Sequence, residues 1–314
     1  MQLGLGTAAL GRPQYINLRQ EKAKGQDLET FKEQGYSVLE KAYNLGIRYF
    51  DTAPGYGLAE QLVLEWLQTK NDPSIQIATK WGYTYVANFD VNAVIHEIKE
   101  HSIEKLQEQW EVSKAFMPHL KVYQIHSTTL ETGVLANEAV LNQLALLKKE
   151  HNLEIGITTT GANQVAVIKK ALDVTVGGHQ LFDAFQVTYN MLDQSLGEIS
   201  RELVQQKKNI IIKEALANGR VFRNKTYKHY DGLYIELERL SRKYKVGVDA
   251  IALQFCGQTL PTGILLSGAS NTEQLQENLK LNTFHLSEEE IQELAAFKID
   301  PITYWEERNQ LKWN

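Results

Sequence analysis

The sequence predicts a single-domain α/β protein, a (β/α)8 (TIM) barrel, on three observations. Short apolar runs recur at a fairly even pace, amphipathic stretches separate them, and no linker or low-complexity tract divides the 314 residues. The eight runs are Leu3–Thr7, Arg48–Thr52, Ile75–Lys80, Lys121–Ser127, Leu153–Thr158, Phe182–Thr188, Asn209–Lys213 and Gly263–Gly268. Near-continuous hydrophobicity suits strands covered on both faces, as in a parallel sheet. Strict alternation also fits an open doubly wound sheet, but eight units favour closure, and the length suits a fold of roughly 250 residues.

Taken in order, the first run is followed by a longish polar loop, Leu10 to Lys24, either a surface excursion or a cover for the barrel mouth. In Leu28–Leu45 the apolar residues Phe31, Val38, Leu39 and Tyr43 mark one helical face. Val91–Trp110, with Val94, Ile95, Ile98, Ile103 and Leu106, is read as another helix. Asn271 stands at a cap position for the segment Asn271–Leu281. The tail from Pro301 to Asn314 holds Tyr304, Trp305 and Trp313. Such aromatics pack on a helix or cover the mouth of a pocket. The barrel is thus expected over 1–314, with 301–314 as a C-terminal tail.

Composition excludes several function classes. The single cysteine, Cys256, rules out a disulfide framework and multi-cysteine metal or cluster sites; within an apolar helix it reads as a buried filler. Lys plus Arg is 33 against Asp plus Glu 38, a net charge of −5 that gives no basic footprint for nucleic acid or anionic membrane. The start lacks a signal-peptide pattern, and no run approaches the roughly 18 apolar residues of a membrane span. A cytoplasmic protein acting on a small molecule is the expectation.

In such a barrel, reactive groups sit at the C-terminal strand ends and in the loops that follow. Asp51 ends the second run, Lys80 the third, and His126 lies at the end of the fourth; Tyr56 follows in the loop after Asp51. Adjacent strands are about 4.8 Å apart, so these groups can converge. Together they make chemical sense. Asp51 can hold Lys80 charged and oriented, the ammonium favours phenolate over phenol, and His126 can donate to a carbonyl oxygen. Tyr56 then gives that oxygen a proton as hydride reaches carbon. Singly, each has a plainer role: a turn aspartate, a solvated lysine, a loop tyrosine, a structural histidine.

The stretch Gly46-Ile47-Arg48-Tyr49-Phe50-Asp51-Thr52-Ala53, with Tyr56 and Gly57 after it and Lys80 and His126 downstream, resembles the signature and catalytic tetrad of the aldo-keto reductase family. The likeness runs from Leu3-Gly4-Leu5-Gly6-Thr7 to Ser267-Gly268 and Asn278. It implies the same barrel and carbonyl reduction or alcohol oxidation on aldehyde, ketone or sugar-like substrates, with NADP(H) or NAD(H) as cofactor. It further implies that Gln186 contacts the nicotinamide carboxamide, that Asn278 lies near the adenine, and that Ser267 and Gly268 bind phosphate. Gly6, Thr7, Asp51, Thr158, Thr159, Lys213, Leu216 and Gln274 complete the implied cofactor contacts. Trp81, beside Tyr56 and His126, is the implied pocket wall, with Tyr83 and Tyr85 behind it.

Three departures stand out. Thr158-Thr159 replaces the family's Ser-Asn after the fifth strand. Lys213 stands where many members stack an aromatic ring on the nicotinamide; its stem can cover the face, or its charge can pair with Glu214. Ser270 and Gln274 occupy positions where arginine would grip the 2′-phosphate of NADP, so the usual NADP bias is expected to weaken.

Other readings compete. Gly4-Leu5-Gly6-Thr7-Ala8-Ala9 matches a dinucleotide fingerprint, but the strand that must precede it is missing. Lys80 alone could serve as a Schiff-base lysine of an aldolase, which leaves Tyr56 and His126 without roles. No metal is expected, because His96 and His101 are five apart and do not share a helical face. A regulatory, cofactor-binding barrel without turnover is the remaining alternative, since fold does not fix function.

Overall fold

The computed structural model describes residues 2–12, 28–90, 93–260 and 263–312. Eight parallel strands close a barrel: β1 (Gln2–Gly6), β2 (Tyr49–Asp51), β3 (Gln76–Trp81), β4 (Leu120–Thr128), β5 (Glu154–Thr159), β6 (Ala184–Thr188), β7 (Asn209–Lys213) and β8 (Ile264–Ser267). Each pairs with its sequence neighbour, and β1 closes the ring on β8 through Gln2↔Ile264 to Leu5↔Ser267. All eight apolar runs become strands, with ends differing by no more than two residues.

Period-two alternation divides the side chains. Tyr49, Ala78, Val122, Ala184, Ile211, Ile264 and Leu266 fill the barrel interior. Residues of opposite parity, such as Phe50, Ile77, Tyr123, Ile125 and Ile212, join the larger core under the helices. Gln2–Gly6 is itself a barrel strand, with Gly4 in its middle, so Gly4–Ala9 is not a dinucleotide loop.

The helices that bear on the site are α1 (Leu28–Asn44), α2 (Ala59–Leu67), α3 (Ile103–Ser113), α4 (Thr272–Leu279) and α5 (Pro301–Asn309). Asn271 caps α4, its side chain accepting from the Gln274 N–H. In α5, Tyr304 and Trp305 are buried, while Trp313 lies outside the described residues. Of the loop Leu10–Lys24, only Leu10–Arg12 is described.

One predicted helix is corrected. Of the described residues within Val91–Trp110 only Ile103 onward is helical, capped by Ser102, which accepts from the Lys105 N–H; Val91 and Asn92 lie outside the described residues. Upstream, Glu97–Lys99 pairs antiparallel with Tyr83–Tyr85 as a hairpin beyond β3. Val94, Ile95 and Ile98 are 95%, 62% and 52% exposed, so no buried helical face exists there. The sequence holds the reason: the five-residue step from Ile98 to Ile103 breaks helical spacing, and β-branched residues favour extended backbone.

No helix of the described residues is long and apolar enough to cross a membrane.

Candidate active site

The candidate residues gather at the C-terminal end of the barrel. Asp51 ends β2, and its carboxylate is the hub. Lys80 on β3 donates to Oδ1 at 2.5 Å and to the Thr52 carbonyl at 2.9 Å. Gln186 on β6 donates to Oδ2 at 2.7 Å, and Gln124 on β4 at 3.4 Å. The Lys80 and Asp51 side chains are 0% and 3% exposed. A lone buried charge is costly, so this ion pair and its amide donors are mutually required.

Tyr56 sits in a one-turn helix, Pro54–Tyr56, directly after β2. The Lys80 ammonium lies 4.8 Å from its ring centroid, and the His126 ring meets it edge-on at 5.4 Å. Burial raises the phenol well above its usual value, Asp51 raises it further, and the Arg12 guanidinium opposes them.

His126 lies where the pairing of β4 with β5 loses register and Ser127 takes a φ of 53°. Burial, with the charge of Lys80 next, holds its imidazole well below the usual value, so it is neutral at pH 7. Its Nδ1 is buried without a partner among the described residues. His101 is also neutral, pushed down to about 4 by burial and then by Lys99. Its Nε2 lies 2.9 Å from the His126 carbonyl, and only the Nε2–H tautomer makes that contact a bond.

Trp81 differs from expectation. Strand alternation puts it on the opposite face of β3 from Lys80. It is fully buried in the outer core, edge-on to His101 at 5.5 Å. The aromatic ring that meets His126 is Tyr83, at 4.7 Å.

The expected cofactor positions fall into three groups. On the β5–β6 side, Thr158 accepts from the Ser127 N–H, which leaves its own hydroxyl proton to donate. Thr159 instead donates to Gln164, which in turn ties down the end of β6 through the Thr188 N–H and carbonyl. At β7, Lys213 donates to Thr188 Oγ1 at 2.8 Å, stands 3.7 Å from Glu214, and lies 5.7 Å from the Trp305 ring. Its charge thus stands beside the Glu214 carboxylate. Burial lowers the Lys213 ammonium's pKa, opposed by Glu214. Leu216 is half-buried in the following turn.

At β8, Ser267 donates to Asn278 at 2.6 Å, and Asn278 donates to Asp249 at 2.6 Å, so both ends of the Asn278 amide are used within the protein. Ser270 bonds Gln274 through its N–H and hydroxyl. The Thr272 and Glu273 N–H groups open α4 without an intrahelical acceptor. Gly268 faces open space, whereas a side chain on Gly6 would approach the Ser267 carbonyl at 3.5 Å. Thr7 donates from both its N–H and its hydroxyl to the Asp51 carbonyl.

Several contributors escaped sequence reasoning. Gln124 was legible, because it shares inward parity with His126. Arg12 was not, since nothing in a loop sequence announces that it reaches the tyrosine turn.

A family model, that of the Aldo/keto reductase family, matches residues 2–299. The chain belongs to the aldo/keto reductase family. It is an oxidoreductase of that family, and its closed eight-stranded barrel is the fold expected. A curated relative, the uncharacterized oxidoreductase YqkF of Bacillus subtilis (strain 168), is 24% identical over 294 residues, covering 86% of this chain and 89% of that protein. Among solved structures, aldo-keto reductase AKR11C1 from Bacillus halodurans, in its holo form, is similar at a TM-score of 0.69 and 21% identity, covering 94% of this chain and 91% of that one. The glycerol dehydrogenase AKR11B4 from Gluconobacter oxydans is similar at 0.70 and 18%, covering 94% and 90%. At these identities the solved structures speak for the fold alone.

Proposed function

We propose that this aldo/keto reductase interconverts a small carbonyl compound and its alcohol with a nicotinamide cofactor, using Tyr56 as the general acid/base. The observation that carries this reading is the convergence of Tyr56, Lys80, Asp51 and His126 at one barrel end.

The residues suit such a cofactor. Among the described residues, nothing accepts the Thr158 hydroxyl proton and nothing donates to the Gln186 amide oxygen; donor and acceptor match a carboxamide. The first-turn N–H groups of α4 suit a phosphate. A bound nicotinamide supplies or accepts the hydride. The protein's part is the proton. Neutral His126 donates a hydrogen bond to the substrate oxygen, Tyr56 passes its phenolic proton to that oxygen, and the Asp51–Lys80 pair fixes the cation beside the ring. Borrowing the family's usual NADP preference is not warranted, because Ser270 and Gln274 are neutral and bonded to each other. NAD is the cofactor we propose, and NADPH binding at least tenfold tighter than NADH in a fluorescence titration would contradict it.

The test of the main reading is Tyr56→Phe. Turnover of aldehydes, ketones and sugar lactols, followed by nicotinamide absorbance, is expected to fall by about 10²–10⁴-fold with cofactor binding retained. Full activity in this variant would overturn the reading. The same assay addresses the regulatory alternative, which predicts no turnover in the native protein.

A further inference from the structure

We infer that Arg12 is a positioning residue for Tyr56, and that with Glu97 it forms a charged clamp joining three loops across the barrel mouth. The inference rests on Tyr56 being the acid/base group.

The backbone contacts come first. The turn after β1 interlocks with the turn that carries the tyrosine. The Leu58 N–H donates to the Gly11 carbonyl at 2.8 Å. A Cβ on Gly11 would lie 1.9 Å from the Tyr56 carbonyl oxygen and 2.5 Å from the Ala59 Cβ. Gly57, at a φ of 65°, would place a Cβ 2.5 Å from the Gly11 carbonyl. Neither position has room for a side chain, so the two backbones are in direct contact.

Arg12 then crosses the contact. It is only 3% exposed. Its Nη1 donates to the Gly55 carbonyl at 2.9 Å, inside the tyrosine's own turn, and to Glu97 at 2.8 Å, on the hairpin beyond β3. Its guanidinium lies 5.5 Å from the Tyr56 ring centroid. One side chain therefore ties together the loops after β1, β2 and β3.

Its charge also has a distinct target. Among the described residues, charged or titratable groups near Tyr56 include Asp51 on β2, Lys80 on β3, His126 on β4, Tyr83 and Glu97 on the hairpin, Glu214 after β7 and Arg12. His126 is neutral, and Lys80 is bound to Asp51 at 2.5 Å. Burial raises the phenol most, Asp51, Glu97 and Glu214 push the same way, and Arg12 counters them. Arg12 is thus a second cation that eases phenolate formation, beside Lys80, while Glu97 bonds it and partly cancels it.

This arrangement predicts opposite shifts from two neighbours. In Arg12→Met, the pH midpoint of kcat/KM for alcohol oxidation moves up by about one unit, the size a unit charge at this range produces at an effective dielectric between protein surface and water. In Glu97→Gln, which keeps an acceptor for Arg12 but loses the negative charge, the midpoint moves down. Arg12→Lys recovers part of the shift without the bond to Gly55. A purely structural clamp lowers rate or stability in all three variants and leaves the midpoint in place; that result, or shifts of the same sign in Arg12→Met and Glu97→Gln, overturns the inference. If Arg12→Met fails to fold, the direction of the Glu97→Gln shift still decides. Retained activity in Tyr56→Phe would instead defeat the underlying reading, so the two failures are separable.

Discussion

Removing the Asp51 charge is the sharpest perturbation of this site. In Asp51→Asn the Lys80 ammonium keeps the Thr52 carbonyl at 2.9 Å but loses, among the described residues, its only counter-charge in direct contact, at full burial. Breaking a buried pair by removing one partner costs about 3–5 kcal/mol. At roughly 2–4 °C per kcal/mol, the thermal midpoint should drop on the order of 10 °C. The double variant Asp51→Asn with Lys80→Met removes both charges and should regain most of that loss, because an apolar stem then fills the space without an orphaned ion. Paired urea and thermal unfolding at several pH values measures all of this, with turnover assayed in parallel and lost in both variants. An Asp51→Asn variant within about 1 kcal/mol of the native protein, or a double variant as unstable as the two single losses combined, would refute the charge-pair argument.

Three further outcomes are expected. Glu60 on α2 is buried, accepts from Thr79 and Ser113, and is pushed up to about 7 by burial, against an ordinary 4.5. Its contribution is full below the ordinary value and is lost as pH rises through about 7, worth about 3 kcal/mol at 1.36 kcal/mol per pKa unit; Glu60→Gln should flatten that loss, and equal pH slopes for the two proteins would sink the idea. Ser270→Arg should tighten NADPH relative to NADH by roughly 10–100-fold, the worth of a charge-assisted bond to a phosphate, as read by fluorescence titration; an unchanged ratio would mean that the 2′ position lies elsewhere. Alcohol oxidation should increase with pH above neutrality and carbonyl reduction should not, because the raised phenol is protonated at pH 7; flat profiles in both directions would remove the phenol from the rate equation.

The barrel was legible because its signal is redundant. Eight runs and their even spacing carry the fold even when single boundaries move. The candidate tetrad was legible for a related reason: a polar residue that ends an apolar run is placed by the strand itself. The misreading of 91–102 came from counting apolar residues without asking what would bury them; Val94, Ile95 and Ile98 face outward on or beside a hairpin. Trp81 was misplaced although parity was available, since a residue next to an inward Lys80 must face outward. Arg12 and Glu97 are a harder case. They are 85 residues apart and meet only because the loop after β1 and the hairpin beyond β3 fold onto the tyrosine turn, a contact that no periodicity encodes.

The arrangement around Asp51 also explains why the phenol needs a second cation. A lysine beside a tyrosine is commonly credited with lowering the phenol's pKa. Here the ammonium is held by Asp51 and the Thr52 carbonyl, and Gln186 and Gln124 donate to the other carboxylate oxygen. Seen from Tyr56, the Lys80–Asp51 pair is close to a dipole, and the carboxylate end raises the phenol. The reverse step gains from each cation near the ring, the Lys80 ammonium at 4.8 Å and the Arg12 guanidinium at 5.5 Å from its centroid. Arg12 brings its charge from outside the tetrad, paired with Glu97 as Lys80 is with Asp51.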